Sequence, residues 1–158
     1  MDILVLYYSK GGNTRKLAES IAKGVELVDG VNAVLKRTDE VTKDDFLNSK
    51  GVIAGSPVYF GIMAAELKKV FDDFVSVRKK MENKIGAAFT TSGDLSGGKE
   101  TTMMSIIQAL MIYGMIIVGD PMSATGHYGT SCVGEPDATT HENGQKLGQR
   151  VAELAKKL

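Results

Sequence analysis

The chain has 158 residues, 43% of them hydrophobic and 24% charged, the balance of a water-soluble globular fold, and one domain over residues 1–158 is long enough to bury a core. Its 19 basic and 19 acidic residues cancel, which argues against a nucleic-acid binder, and no apolar run reaches membrane-spanning length. A single cysteine, Cys132, excludes an internal disulfide and any CxxC redox or zinc framework; with no basic, apolar leader read at the start, the expected location is the cytoplasm.

In chain order, Ile3–Tyr8 is an unbroken apolar run, as expected of a strand covered on both faces of a parallel sheet. Leu17, Ala18, Ile21, Ala22 and Val25 then recur at helical spacing. Asn32–Arg37 reads as a second, more polar strand at a sheet edge, and a short amphipathic stretch, Val41–Asn48, leads to a third strand, Gly51–Gly55. Leu67, Val70, Phe71, Phe74 and Val75 form the buried face of the next helix, with Lys68, Lys69, Asp72 and Asp73 turned to water. Ile85–Thr91 is a fourth strand, Met103, Ile106, Ile107, Leu110 and Met111 mark a helix, and Met115–Val118 is a fifth strand. Gly119–His141 carries no regular pattern, and Leu147, Val151, Leu154 and Leu158 define a closing helix. This alternation predicts an α/β fold: a doubly wound, five-stranded parallel sheet of order 2-1-3-4-5 with helices on both faces. Its ligand site is expected at the switch point beyond the strand carboxyl ends.

Three loops at that end have unusual composition. The first, Ser9, Lys10, Gly11, Gly12, Asn13 and Thr14, offers two glycines, hydroxyl and amide groups, and a helix N-terminus whose N–H groups can hold a phosphate. The same residues also suit a plain capped turn, with Asn13 or Thr14 as N-cap. The second, Ser56, Pro57, Val58, Tyr59, Phe60 and Gly61, ends in two aromatics that either flank a planar ring or cover the core edge, with Pro57 setting the turn. The third, Thr90, Thr91, Ser92, Gly93, Asp94, Leu95, Ser96, Gly97, Gly98 and Lys99, lets the backbone approach a ligand closely. It nearly spells a nucleotide-triphosphate loop, but Glu100 stands where a magnesium-binding Ser or Thr is required. A phosphoacceptor receiver is excluded because the first strand ends in Tyr7, Tyr8 and Ser9 rather than in carboxylates.

Taken in order, YYSKGGNT, SPVYFGIMAAELKKVFD, FTTSGDLSGGKETT, YGMIIVG and HYGTS resemble the flavodoxin-like NAD(P)H:quinone oxidoreductases of the WrbA type, over nearly the whole chain. The resemblance implies FMN with its phosphate in Ser9–Thr14, its ring bracketed by Pro57–Gly61, and the ring's polar edge against Thr91–Gly98. It implies NADH or NADPH as donor, a quinone or similar small molecule as acceptor, and ping-pong two-electron transfer; a non-enzymatic flavodoxin-type electron carrier is the alternative. It also implies a homo-oligomer, dimer or tetramer. No catalytic side chain is demanded, because the cofactor carries the chemistry; Tyr59, Tyr113, His127 and Tyr128 are the expected pocket residues. The chain departs from the family in having no tryptophan, in carrying Tyr113 where the family has a histidine, and in lacking the insertions of longer members. Cys132 is expected to pack as a small hydrophobe and His141 to flank the last helix.

Overall fold

The structure, a computed structural model, describes all 158 residues. Strand β1 (Asp2–Tyr7) is followed by α1 (Asn13–Glu26), the edge strand β2 (Asn32–Arg37), and a short α2 (Lys43–Asn48). Then come β3 (Ser49–Tyr59), β4 (Ile62–Met63), α3 (Ala65–Asp73), a 3-10 segment (Val75–Met81) and β5 (Ile85–Ser92). The chain finishes with α4 (Lys99–Ile112), β6 (Ile116–Ile117), β7 (Gly129–Val133) and α5 (Ala138–Lys157).

The parallel sheet runs β2-β1-β3-β5-β6, the doubly wound order expected once the small hairpin strand β4 is set aside. Side chains of β1 alternate between two cores, as the two-residue period of a strand requires. Leu4 and Leu6 join Leu67, Phe71, Met103, Ile106 and Leu110 beneath α3 and α4, whereas Ile3, Val5 and Tyr7 join Leu17, Ile21, Val25, Leu147 and Val151 beneath α1 and α5. Strand β5 is buried along all its residues, which explains its unbroken apolar start.

Helices α1 and α5 cross at backbone contact. A Cβ on Gly24 would lie 2.0 Å from the Gln145 carbonyl oxygen, and one on Gly148 would lie 2.1 Å from that of Ile21. The crossing is laced by Ser20 Oγ and His141 Nδ1 at 2.6 Å and by an ion pair between Lys16 and Glu135. His141, expected to flank the last helix, therefore sits inside it. On the opposite face, Lys84 Nζ donates to the carbonyls of Phe46 and Leu47 at 2.9 and 2.7 Å, closing the C-terminal end of α2.

Two segments differ from the sequence expectation. Strand β3 continues past Gly55 through Pro57, which pairs with Thr91 in the sheet instead of setting a turn. The chain reverses only at Phe60 and Gly61, whose φ values of 52 and 78° are the positive pair that a two-residue hairpin turn demands. The fifth strand is also in two pieces. Strand β6 pairs with the start of β5 at Ile85 and Gly86, and β7 pairs with its end, from Ala88 to Ser92. The stretch expected to be irregular thus contains a strand, and its true excursion is the short run from Val118 to Tyr128. That run is tied down through Asp120, whose Oδ1 accepts from Thr130 Oγ1 at 3.2 Å and whose main-chain oxygen accepts from Arg150 Nη1 at 2.5 Å. Burial holds the Asp120 carboxyl above the usual aspartate range.

Candidate functional site

The carboxyl ends of β1, β3, β5 and β7 surround a cavity of about 440 Å³, within the range of small-molecule sites. The loop after β1 contributes Ser9, Lys10, Gly11, Asn13 and Thr14; the end of β3 contributes Pro57, Val58 and Tyr59; and the end of β5 contributes Thr91, Ser92 and Gly93. Gly134, just beyond β7, completes the wall.

The N-terminus of α1 is open toward this cavity. Its N-cap is Gly12, with φ at 97° and no side-chain cap, so neither Asn13 nor Thr14 closes the helix. Gly12 N–H donates to Ser9 Oγ at 3.1 Å, but the amides of Asn13, Thr14 and Arg15 find no acceptor within the protein. Four free N–H groups begin any helix, and the macrodipole adds partial positive charge there. By contrast, α2 carries a Thr42–Asp45 capping box and α5 is capped by Asp137, which accepts from Thr140 N–H. A Cβ at Gly11, Gly12, Gly93 or Gly134 would meet nothing within 4 Å, so backbone itself forms much of the wall. Thr14, buried, hydrogen-bonds to Thr91 through their hydroxyls at 2.8 Å and locks the first loop to the third. These donors and this space fit a phosphate monoester without a metal ion.

The second and third loops meet over the same end. A Cβ on Gly98 would come within 3.0 Å of Gly61 Cα, so the hairpin tip and the loop before α4 are in contact. Ser92 Oγ donates to the Asp94 carbonyl at 2.7 Å, holding the start of the third loop. Asp94, Leu95 and Ser96 are exposed on the rim, Gly97 and Gly98 are half-buried, and Phe60 projects fully into solvent. Tyr8, at the end of β1, packs edge-on against Tyr59 with ring centroids 6.2 Å apart. The neighbouring Glu66 carboxylate pushes the Tyr8 phenol above the ordinary tyrosine range.

Three expected pocket residues lie elsewhere. Tyr113 precedes the fifth strand and so sits at the opposite end of the sheet, where it is buried with its hydroxyl donating to the Phe71 carbonyl at 2.6 Å. Its ring packs against Phe46 and Phe71, and burial pushes its pKa up to about 12. Replacing it with phenylalanine is expected to cost about 1 kcal/mol in urea unfolding, the net worth of one buried hydrogen bond, with ligand binding at the strand carboxyl ends unchanged. A tenfold loss of ligand affinity there without loss of stability would contradict that placement. His127 and Tyr128 precede Gly129, which pairs with Ala88, three residues below Thr91 on β5 and so roughly 10 Å from the cavity mouth. Both are exposed on the sheet flank, with His127 near Asp120.

Sequence reasoning missed Gly134, which, with φ at 68°, follows a strand that the polar run Gly129–Val133 conceals. Cys132, in that strand, is buried and its thiol is pushed up to about 11 by burial, with no activating cation dominant. No group of three or more His, Cys, Asp or Glu side chains could hold a metal ion, and no helix is long and apolar enough to cross a membrane.

Residues 1–130 match the model of a protein family described as NADPH-dependent FMN reductase. A protein of Aquifex aeolicus named flavodoxin is 36% identical over 157 residues, covering 96% of this chain and 85% of its own. A protein of Archaeoglobus fulgidus named NAD(P)H dehydrogenase (quinone) is 32% identical over an alignment of 188 positions, covering 99% of this chain and 98% of its own. Among solved structures, the flavodoxin, WrbA-like protein from Agrobacterium tumefaciens superposes with a TM-score of 0.85 at 25% identity, covering 99% of this chain and 98% of that one.

Proposed function

Because the chain belongs to the family of NADPH-dependent FMN reductases, we propose that it binds FMN in the cavity at the strand carboxyl ends and acts as an oxidoreductase. Two electrons enter from NADH or NADPH and leave to a quinone or similar small acceptor, in a ping-pong sequence. The observation that carries the reading is the uncapped N-terminus of α1, whose amides at Asn13, Thr14 and Arg15 lack protein acceptors. A flavin's terminal phosphate satisfies them and is favoured by the helix dipole.

Bound there, FMN supplies the redox chemistry. The protein's own contribution is to hold and orient it. Ser9 through Thr14 grip the phosphate; Pro57 through Gly61 and Thr91 through Gly98 flank the ring, with Tyr59 as the aromatic wall. The Thr14–Thr91 hydroxyl pair fixes the distance between phosphate and ring sites. One domain over residues 1–158 carries all of this, and a lone buried thiol suits the reducing cytoplasm.

A second reading, an electron carrier without turnover of its own, is favoured by chain length. A relative named flavodoxin, from Clostridium saccharobutylicum, aligns over 164 positions that cover 99% of its own length, whereas the one named quinone dehydrogenase needs 188 positions against the 158 residues here. Anaerobic mixing of the FMN-loaded protein with NADH or NADPH separates them. The enzyme reading expects rapid bleaching of the visible flavin bands and parallel lines in double-reciprocal plots with benzoquinone. If neither nucleotide bleaches the flavin, while dithionite titration resolves two one-electron steps, the carrier reading replaces it.

A further inference from the structure

The hairpin that carries Tyr59 and Phe60 has only two paired positions, Val58 with Met63 and Tyr59 with Ile62. So short a ladder is not stable by itself. Its tip is also demanding, since Phe60 is held at φ 52°, which a non-glycine residue keeps only where its surroundings enforce it. Something at the root must therefore fix where Tyr59 stands.

In this register the next rung would join Pro57 to Ala64. Proline has no N–H to give, and the chain is already turning into α3, whose first hydrogen bonds are accepted by the Ala64 carbonyl. The hydroxyl of Ser56 fills the rung. Its Oγ accepts from the Ala64 N–H at 2.8 Å and donates to the Pro57 carbonyl at 2.7 Å. The Ala64 amide has no main-chain acceptor. Ser56 is in turn pinned from β5, where Thr90 Oγ1 donates to its main-chain oxygen at 2.6 Å. Ser56, Ala64 and Thr90 are each wholly shielded from water, so solvent does not stand in for these bonds. A second tie, from Met63 N–H to Ser105 Oγ at 3.0 Å, holds the returning arm to α4.

We propose that Ser56 is a positioning residue for the flavin-ring wall: its hydroxyl sets the root of the hairpin and thereby the place of Tyr59. Ser56 does not itself line the cavity, and the assignment rests on the flavin reading above. A hydroxyl donates and accepts at once, which is what the rung requires and alanine lacks. Without it, either the Ala64 amide is left buried with no acceptor, or the root closes until that amide reaches the Pro57 carbonyl directly. Both displace Tyr59. Neither touches the amides at the start of α1, so the role is separable from that of the phosphate loop.

The test compares the wild-type chain with Ser56→Ala by fluorescence titration with FMN and with riboflavin. Flavin bound to the wild type is expected to be dark, quenched by the stacked Tyr59 ring. In the variant both flavins are expected to bind about tenfold more weakly, the effect of one buried hydrogen bond, and the flavin bound at saturation to be brighter. A serine that only supports the fold would lower the urea midpoint and leave affinity and brightness as in the wild type; that result overturns the proposal. Weakening of FMN alone overturns it too, because that signature belongs to the phosphate loop. If the wild type binds neither flavin, the flavin reading itself falls and the ring role with it. Should Ser56→Ala fail to fold, hydrogen exchange in the wild type decides. The Ala64 amide must then exchange as slowly as those of β5, and exchange at the rate of the Phe60 and Gly61 amides overturns the rung.

Discussion

Asn13→Asp is expected to weaken FMN binding about 100-fold, on the order of 3 kcal/mol, while leaving riboflavin binding unchanged. Asn13 is the first residue of α1 and lines the cavity, so the new carboxylate lies beside the phosphate site with almost no change in side-chain volume. Coulomb repulsion between it and a phosphate a few ångströms away, at the effective dielectric of a protein surface, supplies that penalty. Riboflavin has no phosphate and is spared. The same substitution places a negative charge at a helix N-terminus, which favours the empty protein by roughly 0.3–1 kcal/mol. Stability and FMN affinity therefore move in opposite directions. Fluorescence titration with both flavins, alongside urea unfolding of the apoprotein, measures the contrast; parallel weakening of the two flavins would place the phosphate elsewhere.

Gly148→Ala carries the second large effect, and here the sign alone is decisive. In the interior of a solvated helix this change stabilises by about 1 kcal/mol, because glycine is the poorer helix former. In α5 the added Cβ falls 2.1 Å from the Ile21 carbonyl oxygen and 3.0 Å from both the Ile21 carbonyl carbon and the Val25 nitrogen. Those are main-chain atoms of α1 and cannot turn aside. The two helices must separate, which is expected to cost about 3 kcal/mol and to lower the thermal midpoint by roughly 10 °C. Since α1 carries the open N-terminus, FMN affinity falls as well. An unchanged or raised midpoint would show that the α1–α5 crossing is looser than described.

The helix faces and the central strands were legible because their signals are local. Leu17, Ile21 and Val25 recur at helical spacing, and Ile3 to Tyr7 is apolar on both sides because both sides are covered. The three loops could be located because glycines and hydroxyls cluster where parallel strands end. What escaped depends on pairings distant in sequence. Strand β7, Gly-Thr-Ser-Cys-Val, is nearly devoid of large apolar residues and was hidden in a run of glycines and prolines, so the excursion of the chain looked twice its real length. Pro57 has the look of a turn residue and yet lies in β3 opposite Thr91. Tyr113 illustrates a different point: a residue that leads into a parallel strand stands at the amino end of the sheet, and the ligand end is reached only after the strand has crossed it. The exposed side of α4 was concealed by its strong apolar face, which explains the helix without revealing that Met111 and Ile112 are left over.

The central claim is that the free amides at the start of α1 select a flavin by its phosphate. The direct measurement is titration of the apoprotein with FMN and, separately, with riboflavin, followed by quenching of flavin fluorescence. FMN is expected to bind one per chain and at least ~100-fold more tightly than riboflavin, as charge-assisted contacts from several amides require. Equal affinity for the two, or binding of neither, would contradict the account.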